Sequence, residues 1–446
     1  MNAGMSTLQI GLLFGTATFI ALFSGMPIAF AVGSVALVFM LIYMPPETVA
    51  LVAETLYSEL DNFVLLTIPL FVLMGAAIGK SRAGGDLYAS LNRWMGRIPG
   101  GLGVANVMAC SVFAAMCGSS PATCSAIGSS GIPEMRKRGY SAALASGIIA
   151  AGGTLGILIP PSLTLILYGI VTEQSIGKLF MAGVGPGLLL TALFAVWVVI
   201  QFRREQAVAR RAGSNAEILR EERYSWREKF ETLPRLAPFI AIIVVVMVAL
   251  YGGWATPSEV AGIGAFASLL MVMTIYGCWR LADLKAILGG TVRESTMVMM
   301  IIATSFLYTY VMSYLHITQE VAAWLVALPL GKWGFFVAAN ILLVVLGFFL
   351  PPVAIILMVT PIILPALKAH GIDLVWFGVV MTILMEMGLI HPPVGLNLFV
   401  INSIAPDIKL SDIIWGTLPF IGLMVLAIVL LAFFPEIAMW LPNNVK

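Results

Sequence analysis

An all-α polytopic membrane protein is the fold class the sequence predicts, with about ten transmembrane helices plus two re-entrant hairpins in two inverted repeats. Three observations carry that reading. Of 446 residues, 60% are hydrophobic and 10% charged, with a mean hydropathy of +1.01, whereas soluble domains carry about 25% charged residues. Charge-free runs of membrane-spanning length recur along the whole chain. Two proline-broken runs lie 232 residues apart in matching surroundings.

A spanning helix needs about 20 apolar residues. The N-terminal scaffold, 1–83, supplies 7–23, 27–43 and 63–79, with the amphipathic stretch 48–60 before the third. No charge precedes Glu47, and no basic n-region or A-x-A-like site leads into a polar domain. The start therefore reads as a mature membrane segment rather than a cleaved signal peptide. The first repeat, 84–202, opens with amphipathic 84–97 and holds the uncharged run 98–133, then 141–170 and 183–202. "CGSSPATC" (117–124) interrupts 98–133. The 12 residues of 122–133 make about 18 Å of helix, too short for a hydrocarbon core about 30 Å thick. The run is expected to enter and leave on one side, with a hairpin tip near Ser119-Ser120-Pro121.

The linker 203–235 mixes basic residues with Glu205, Glu217, Glu221, Glu222, Glu228 and Glu231, a pattern of solvated helical turns. Scaffold spans 236–252, 258–277 and 296–313 follow, the last after amphipathic 283–294. The second repeat and last helix, 316–446, hold amphipathic 316–330, the hairpin 333–367, the broken run 374–400 and the span 413–434. "FFLPPV" (348–353) breaks the hairpin. Its second arm, 353–366, is about 21 Å long, so the same length argument places a tip near Pro351-Pro352. The amphipathic stretches are expected along the membrane surface. Trp94, Trp226, Trp279, Trp333 and Trp376 are expected as interface anchors, and His316 and His370 as solvated loop residues.

Lysine and arginine placement orients the chain. Loops at 80–97, 136–138, 203–235, 280–293 and 402–412 hold 20 of the 24 basic residues, leaving Lys178, Lys332, Lys368 and Lys446 opposite. The richer side is expected to be cytoplasmic, with both termini periplasmic.

"LGILIPPSLTLI" (155–166) aligns with "MGLIHPPVGLNL" (387–398). Gly156, Pro160 and Pro161 map onto Gly388, Pro392 and Pro393, and the same offset carries Pro133, Arg136 and Gly139 onto Pro365, Lys368 and Gly371. Each half thus reads interfacial helix, hairpin, short loop, broken helix. In the orientation above, the hairpins enter from opposite sides. Inverted repeats with discontinuous helices meeting near the midplane are a transporter signature. A helix that stops in the membrane leaves carbonyls at its end and N–H groups at the start of the next segment. The first suit a cation and the second an anion. Proline removes donors that would otherwise occupy those carbonyls. The carbonyls of 156–159 and 388–391 are therefore candidate Na+ ligands, since hard cations take oxygen. Gly118, Ser119 and Gly347 at the tips are placed to complete the cages.

Glu386 is the carboxylate inside the second broken helix, with Thr154 as its repeat mate. Intramembrane acids are functional candidates by default, here as ion ligand or proton carrier. Asn397 follows the second break and is read either as a donor to a carboxylate or as an interhelical bond. Thr164 is expected to bond back into its own helix.

Other classes fit less well. Cys110, Cys117, Cys124 and Cys278 form no CxxC or Cys/His cluster and read as packed small hydrophobes. The basic residues sit between apolar runs, so no nucleic-acid partner is suggested. No HExxH, GxSxG or paired catalytic acids appear, so no enzyme and no catalytic residue is expected. An ion channel remains an alternative because re-entrant loops also build selectivity filters, as does a stand-alone proton-coupled transporter.

"AAGGTLGILIPPSLTLILYG" (150–169), "GSSPATCSAIGSSGIP" (118–133) and "GLIHPPVGLNLF" (388–399) resemble the large membrane subunit of TRAP transporters, the tripartite ATP-independent periplasmic family. The likeness covers nearly the whole chain. It implies a Na+-driven importer of organic acid anions in the bacterial inner membrane, working as an elevator. It also implies a small four-helix membrane subunit and a periplasmic substrate-binding protein as partners, with two or more Na+ ions and no covalent cofactor. Carried over by motif, one Na+ site would use Gly118, Ser119, Gly156, Ile159 and Ser162. The other would use Gly347, Gly388, His391 and Val394, mostly through backbone oxygens. Substrate would sit near Ser119, Ser120, Thr123, Pro352 and Asn397. This chain departs from many relatives in having Pro351 where an acidic residue precedes the tip proline, and His391 where threonine is common.

Overall fold

In hydrocarbon a helix is the one open-ended element that satisfies its backbone groups within itself. The computed structural model follows that rule: among the described residues, 5–211 and 224–445, it has twenty α-helices, two short 3-10 turns and no strand. The middle of the expected linker, with Glu217, Glu221 and Glu222, and also Lys446, lie outside the described residues.

Helices α1 (Thr7–Phe23), α2 (Ile28–Tyr43), α3 (Glu47–Leu60) and α4 (Thr67–Lys80) form the first group. A reciprocal capping box between Ser6 and Gln9 starts α1. Next come α5 (Ala83–Met95), α6 (Gly101–Cys117), α7 (Ser120–Lys137), α8 (Ala142–Thr154) and α9 (Leu163–Thr172), then the long α10 (Ile176–Arg211). Beyond the linker lie α11 (Trp226–Tyr251), α12 (Pro257–Thr274) and α13 (Leu281–Tyr314). Capping boxes at Ser225/Glu228 and Thr256/Glu259 fix the starts of α11 and α12. The chain ends with α14 (Ile317–Ala327), α15 (Lys332–Gly347), α16 (Pro352–Ala369), α17 (Leu374–Leu389), α18 (Leu396–Ile404), α19 (Leu410–Phe433) and α20 (Glu436–Asn444).

The series α5–α9 recurs in the same order as α14–α18. The two series exchange parts: α9 packs on α16, and α18 packs on α7. Helix α13 runs along α2, α4 and α16. Seven helices are long and apolar enough to cross a membrane, by length and composition: 63–80 (a 3-10 turn leading into α4), α10, α11, α12, α13, α16 and α19. Helices α8 and α19 approach closely through small residues, as is usual where hydrophobicity alone does not drive association. A Cβ on Gly147 of α8 would lie 3.1 Å from the Cα of Gly416 of α19.

Several boundaries differ from the sequence expectation. Both hairpin second arms are 18 residues long, because α7 continues through Pro133 to Lys137 and α16 through Pro365 to Ala369. Basic residues suit the last turn of a helix, so the first charge does not end it. The length argument for the hairpins therefore falls away. Stretch 283–294, expected along the membrane surface, is continuous with 296–313 in the 34-residue α13. Spans 183–202 and 236–252 lengthen to 176–211 and 226–251 for the same reason, and α20 was not expected. His370 is not a solvated loop residue: its ring stacks on Phe335 at 4.5 Å, and its nitrogens lie 2.8 and 3.1 Å from the carbonyl oxygens of Ala366 and Leu330. Trp376 is buried, donating to the Leu431 carbonyl at 3.1 Å, whereas Trp226, Trp279 and Trp333 are exposed.

Gly416→Leu is expected to destabilise the protein by about 1–3 kcal/mol through overpacking against α8. Gly422→Leu on the same helix meets open space and leaves the unfolding transition in place. Thermal unfolding of the two variants in detergent checks the contrast.

Candidate functional site

The tip of the first hairpin and the first proline break meet. Helix α6 ends at Gly118, whose φ of +58° is left-handed and whose N–H reaches the Ala114 carbonyl at 3.0 Å. A Cβ there would lie 3.1 Å from the Pro161 carbonyl oxygen. Ser119 is extended and caps the start of α7; its carbonyl accepts from the Thr123 N–H at 3.1 Å and the Thr123 hydroxyl at 2.9 Å. A Cβ on Gly156 would sit 3.1 Å from the Ser119 carbonyl oxygen and 3.2 Å from Thr123 Oγ1. Ser119, Thr123 and Gly156 thus come together, with Gly118 against Pro161 of the same break. Ile159 turns its side chain toward Gly187 of α10.

The break is held open by hydroxyls. Ser162 caps α9, accepting from the Leu165 N–H at 3.3 Å. Ser162 Oγ and Thr164 Oγ1 lie 2.8 Å apart, and both donate to the Ile157 carbonyl, Thr164 at 2.8 Å. Thr164 therefore reaches across the break instead of back into its own helix.

The second junction repeats the first. A Cβ on Gly388 would come within 3.1 Å of Gly347 Cα, so these two glycines let the end of α15 touch α17. The Val394 N–H donates to the Phe348 carbonyl at 3.3 Å, and the His391 ring stacks on Phe348 at 4.2 Å. Thr417 of α19 donates to the Ile390 carbonyl at 3.2 Å. Pro352 begins α16 and is half-buried. The Pro160-Pro161 and Pro392-Pro393 peptide bonds are both cis.

Asn397 joins the two junctions. Fully buried, it donates through Nδ2 to Ser120 Oγ at 2.8 Å and to the Ala150 carbonyl at 3.0 Å. Ser120 and Asn397, both expected at the substrate, are thus each other's partners, while Ser119 stays half-buried beside them. Glu386 is fully buried one turn before the second break, and neither carboxyl oxygen has a hydrogen-bond partner among the described residues. Its repeat mate Thr154 donates to the Ala151 carbonyl at 2.7 Å. No group of three or more His, Cys, Asp or Glu side chains that could hold a metal ion gathers among the described residues.

Sequence reasoning missed Thr417, which no local pattern ties to the break. It also read Lys80 only as an orientation charge and Glu294 only as part of an amphipathic stretch. Both line one cavity of about 240 Å³ with Ser119.

Residues 16–437 match the family model described as "Tripartite ATP-independent periplasmic transporter, DctM component". The C4-dicarboxylate TRAP transporter large permease protein DctM of Pseudomonas aeruginosa is 36% identical over 398 residues, covering 89% of this chain and 90% of that protein. The protein of the same name from Rhodobacter capsulatus is 34% identical over 438 residues, covering 94% and 96%. Among solved structures, the YdaH transporter of Alcanivorax borkumensis superposes with a TM-score of 0.58 at 15% identity, covering 95% of this chain and 98% of that one. The last of these supports the fold alone.

The cross-half tie is tested by a double-mutant cycle. Ser120→Ala and Asn397→Ala are each expected to lower stability by about 1 kcal/mol. The double variant should lose clearly less than the sum, because the two residues share one interaction. Full additivity in detergent unfolding would contradict the tie.

Proposed function

The chain belongs to the DctM-component family of tripartite ATP-independent periplasmic transporters, and from that premise we propose that it is the membrane permease of a Na+-driven importer. Its cargo is an organic acid. It works with a small four-helix membrane subunit and a periplasmic substrate-binding protein, in the bacterial inner membrane with both termini periplasmic. The observation that carries the reading is the pair of junctions, each made by a hairpin tip pressed on a proline-broken helix through glycine.

Sodium would be held at Gly118, Ser119, Gly156, Ile159 and Ser162 in the first half, and at Gly347, Gly388, His391 and Val394 in the second. Proline removes donors at each break, and the carbonyl ends of helices carry partial negative charge. These oxygens suit a hard cation better than any other ligand type in the junctions. The substrate carboxylate would lie between the tips, near Ser119, Ser120, Thr123, Pro352 and Asn397, where the starts of α7 and α16 point N–H groups. Because Asn397 and the exchanged packing of α9 and α18 bind the halves together, the two junctions would travel as one body against α1–α4 and α11–α13. That is elevator-type alternating access. Stand-alone proton coupling is the second reading, and Glu386 favours it: an unpartnered buried carboxylate would be expensive, so the group would need a proton or a cation.

Gly388→Leu is expected to abolish Na+-dependent uptake while the protein still inserts, because the side chain would displace Gly347. Undiminished uptake in proteoliposomes would contradict the second cation site. Glu386→Gln is expected to alter the Na+ and pH dependence of uptake if this carboxyl couples ions; an unaltered profile removes it from the mechanism.

A further inference from the structure

Lys80 at the end of α4 and Glu294 of α13 face the same cavity from neighbouring, mutually packed helices. The tip of the first hairpin closes it with Ser119, and Ser125 of α7 adds a second hydroxyl to its wall. The space exists because side chains are missing. A Cβ on Gly79 or on Gly290, both in the wall, would meet nothing within 4 Å. Lys80 is exposed and Glu294 half-buried, yet neither has an ion pair or hydrogen bond among the described residues.

Opposite charges held apart around a shared space complement a molecule that carries both signs. Hydrogen bonds to charged groups are the strong ones, and a ligand with both charges would satisfy both walls. A dianion would satisfy Lys80 but bring its second carboxylate toward Glu294, and like-charge juxtaposition across an interface is penalised.

We propose that the substrate held at the Ser119 tip extends into this cavity when the junctions stand as they do here, and that it is a zwitterion, a small organic acid bearing a cationic group. Its carboxylate stays at the tip, on the Ser119 side facing Lys80, and its cationic group reaches across the cavity to Glu294, so the two charges of the fixed helices meet the substrate in this position of the junctions alone. The assignment rests on the transporter reading above and narrows its substrate class. Glu294 is then the residue that selects zwitterions over dianions, and Gly79 and Gly290 set the size of the space.

Calorimetric titration of the full chain in nanodiscs, in sodium-containing buffer, tests this. The zwitterion probes are glycine betaine, ectoine and alanine, and the dianion probes are succinate and malate. The wild type is expected to bind at least one zwitterion, and to bind it more tightly than either dianion. Glu294→Gln should weaken that zwitterion about tenfold or more and tighten succinate, as loss of one charged hydrogen bond predicts. Lys80→Gln should weaken both classes, and Gly290→Leu should abolish binding by filling the space. Size-exclusion profiles confirm that each variant is folded. Tighter binding of dianions by the wild type, unchanged in Glu294→Gln, overturns the zwitterion assignment and leaves the transporter reading standing. Binding of dianions with no response to Lys80→Gln or Gly290→Leu moves the site elsewhere. Binding of no probe of either class by the wild type also overturns the zwitterion assignment, while the transporter reading is judged separately by Na+-driven uptake.

Discussion

A carbonyl stripped of its helical donor inside a membrane has to find another partner, and the core of this protein is arranged around that demand. Each proline pair removes two donors where water is scarce. The Ile157 carbonyl is met by the hydroxyls of Ser162 and Thr164, and the Ile390 carbonyl by Thr417 from a different helix. The Val394 N–H finds the Phe348 carbonyl at a hairpin tip. Tips and breaks therefore need one another. Glycine stands at Gly118, Gly156, Gly347 and Gly388 because backbone has to approach backbone there.

The same demand couples the halves. Past each break the helix leaves its own hairpin and lies on the hairpin of the other half, α9 on α16 and α18 on α7. Asn397 closes the exchange by satisfying Ser120 and the Ala150 carbonyl together. Arg136 and Asp407 add an ion pair between the halves at a solvent-exposed position, where such pairs contribute little. A core knitted this way resists sliding of one half on the other, while its contacts with α4 and α13 leave open space beside Ser119.

Much of this was legible in the sequence because hydrocarbon leaves few choices. Charge-free runs located the spans, and the constant offset located both breaks and their glycines. The helix ends were less legible, since Glu134, Arg136, Lys137 and Lys368 continue their helices as comfortably as apolar residues would. The exchange of α9 and α18 between halves was not legible at all. Ser120 and Asn397 are 277 residues apart, and each half read alone offers its own hairpin as the nearer partner. His370 and Trp376 were misplaced for a related reason: Leu330 and Phe335, which hold the one, and Leu431, which holds the other, come from distant parts of the chain that no local pattern announces.

The central proposal is that the two tip-and-break junctions would bind the coupling ion through backbone oxygen. Uptake of radiolabelled substrate tests it most directly, in proteoliposomes holding this chain with the proposed small membrane subunit and binding protein, with the Na+ gradient and the pH gradient imposed separately. The account predicts accumulation that follows the Na+ gradient and rises more steeply than linearly with external Na+, as two sites require. Accumulation driven equally by a pH gradient in the absence of Na+ would contradict it.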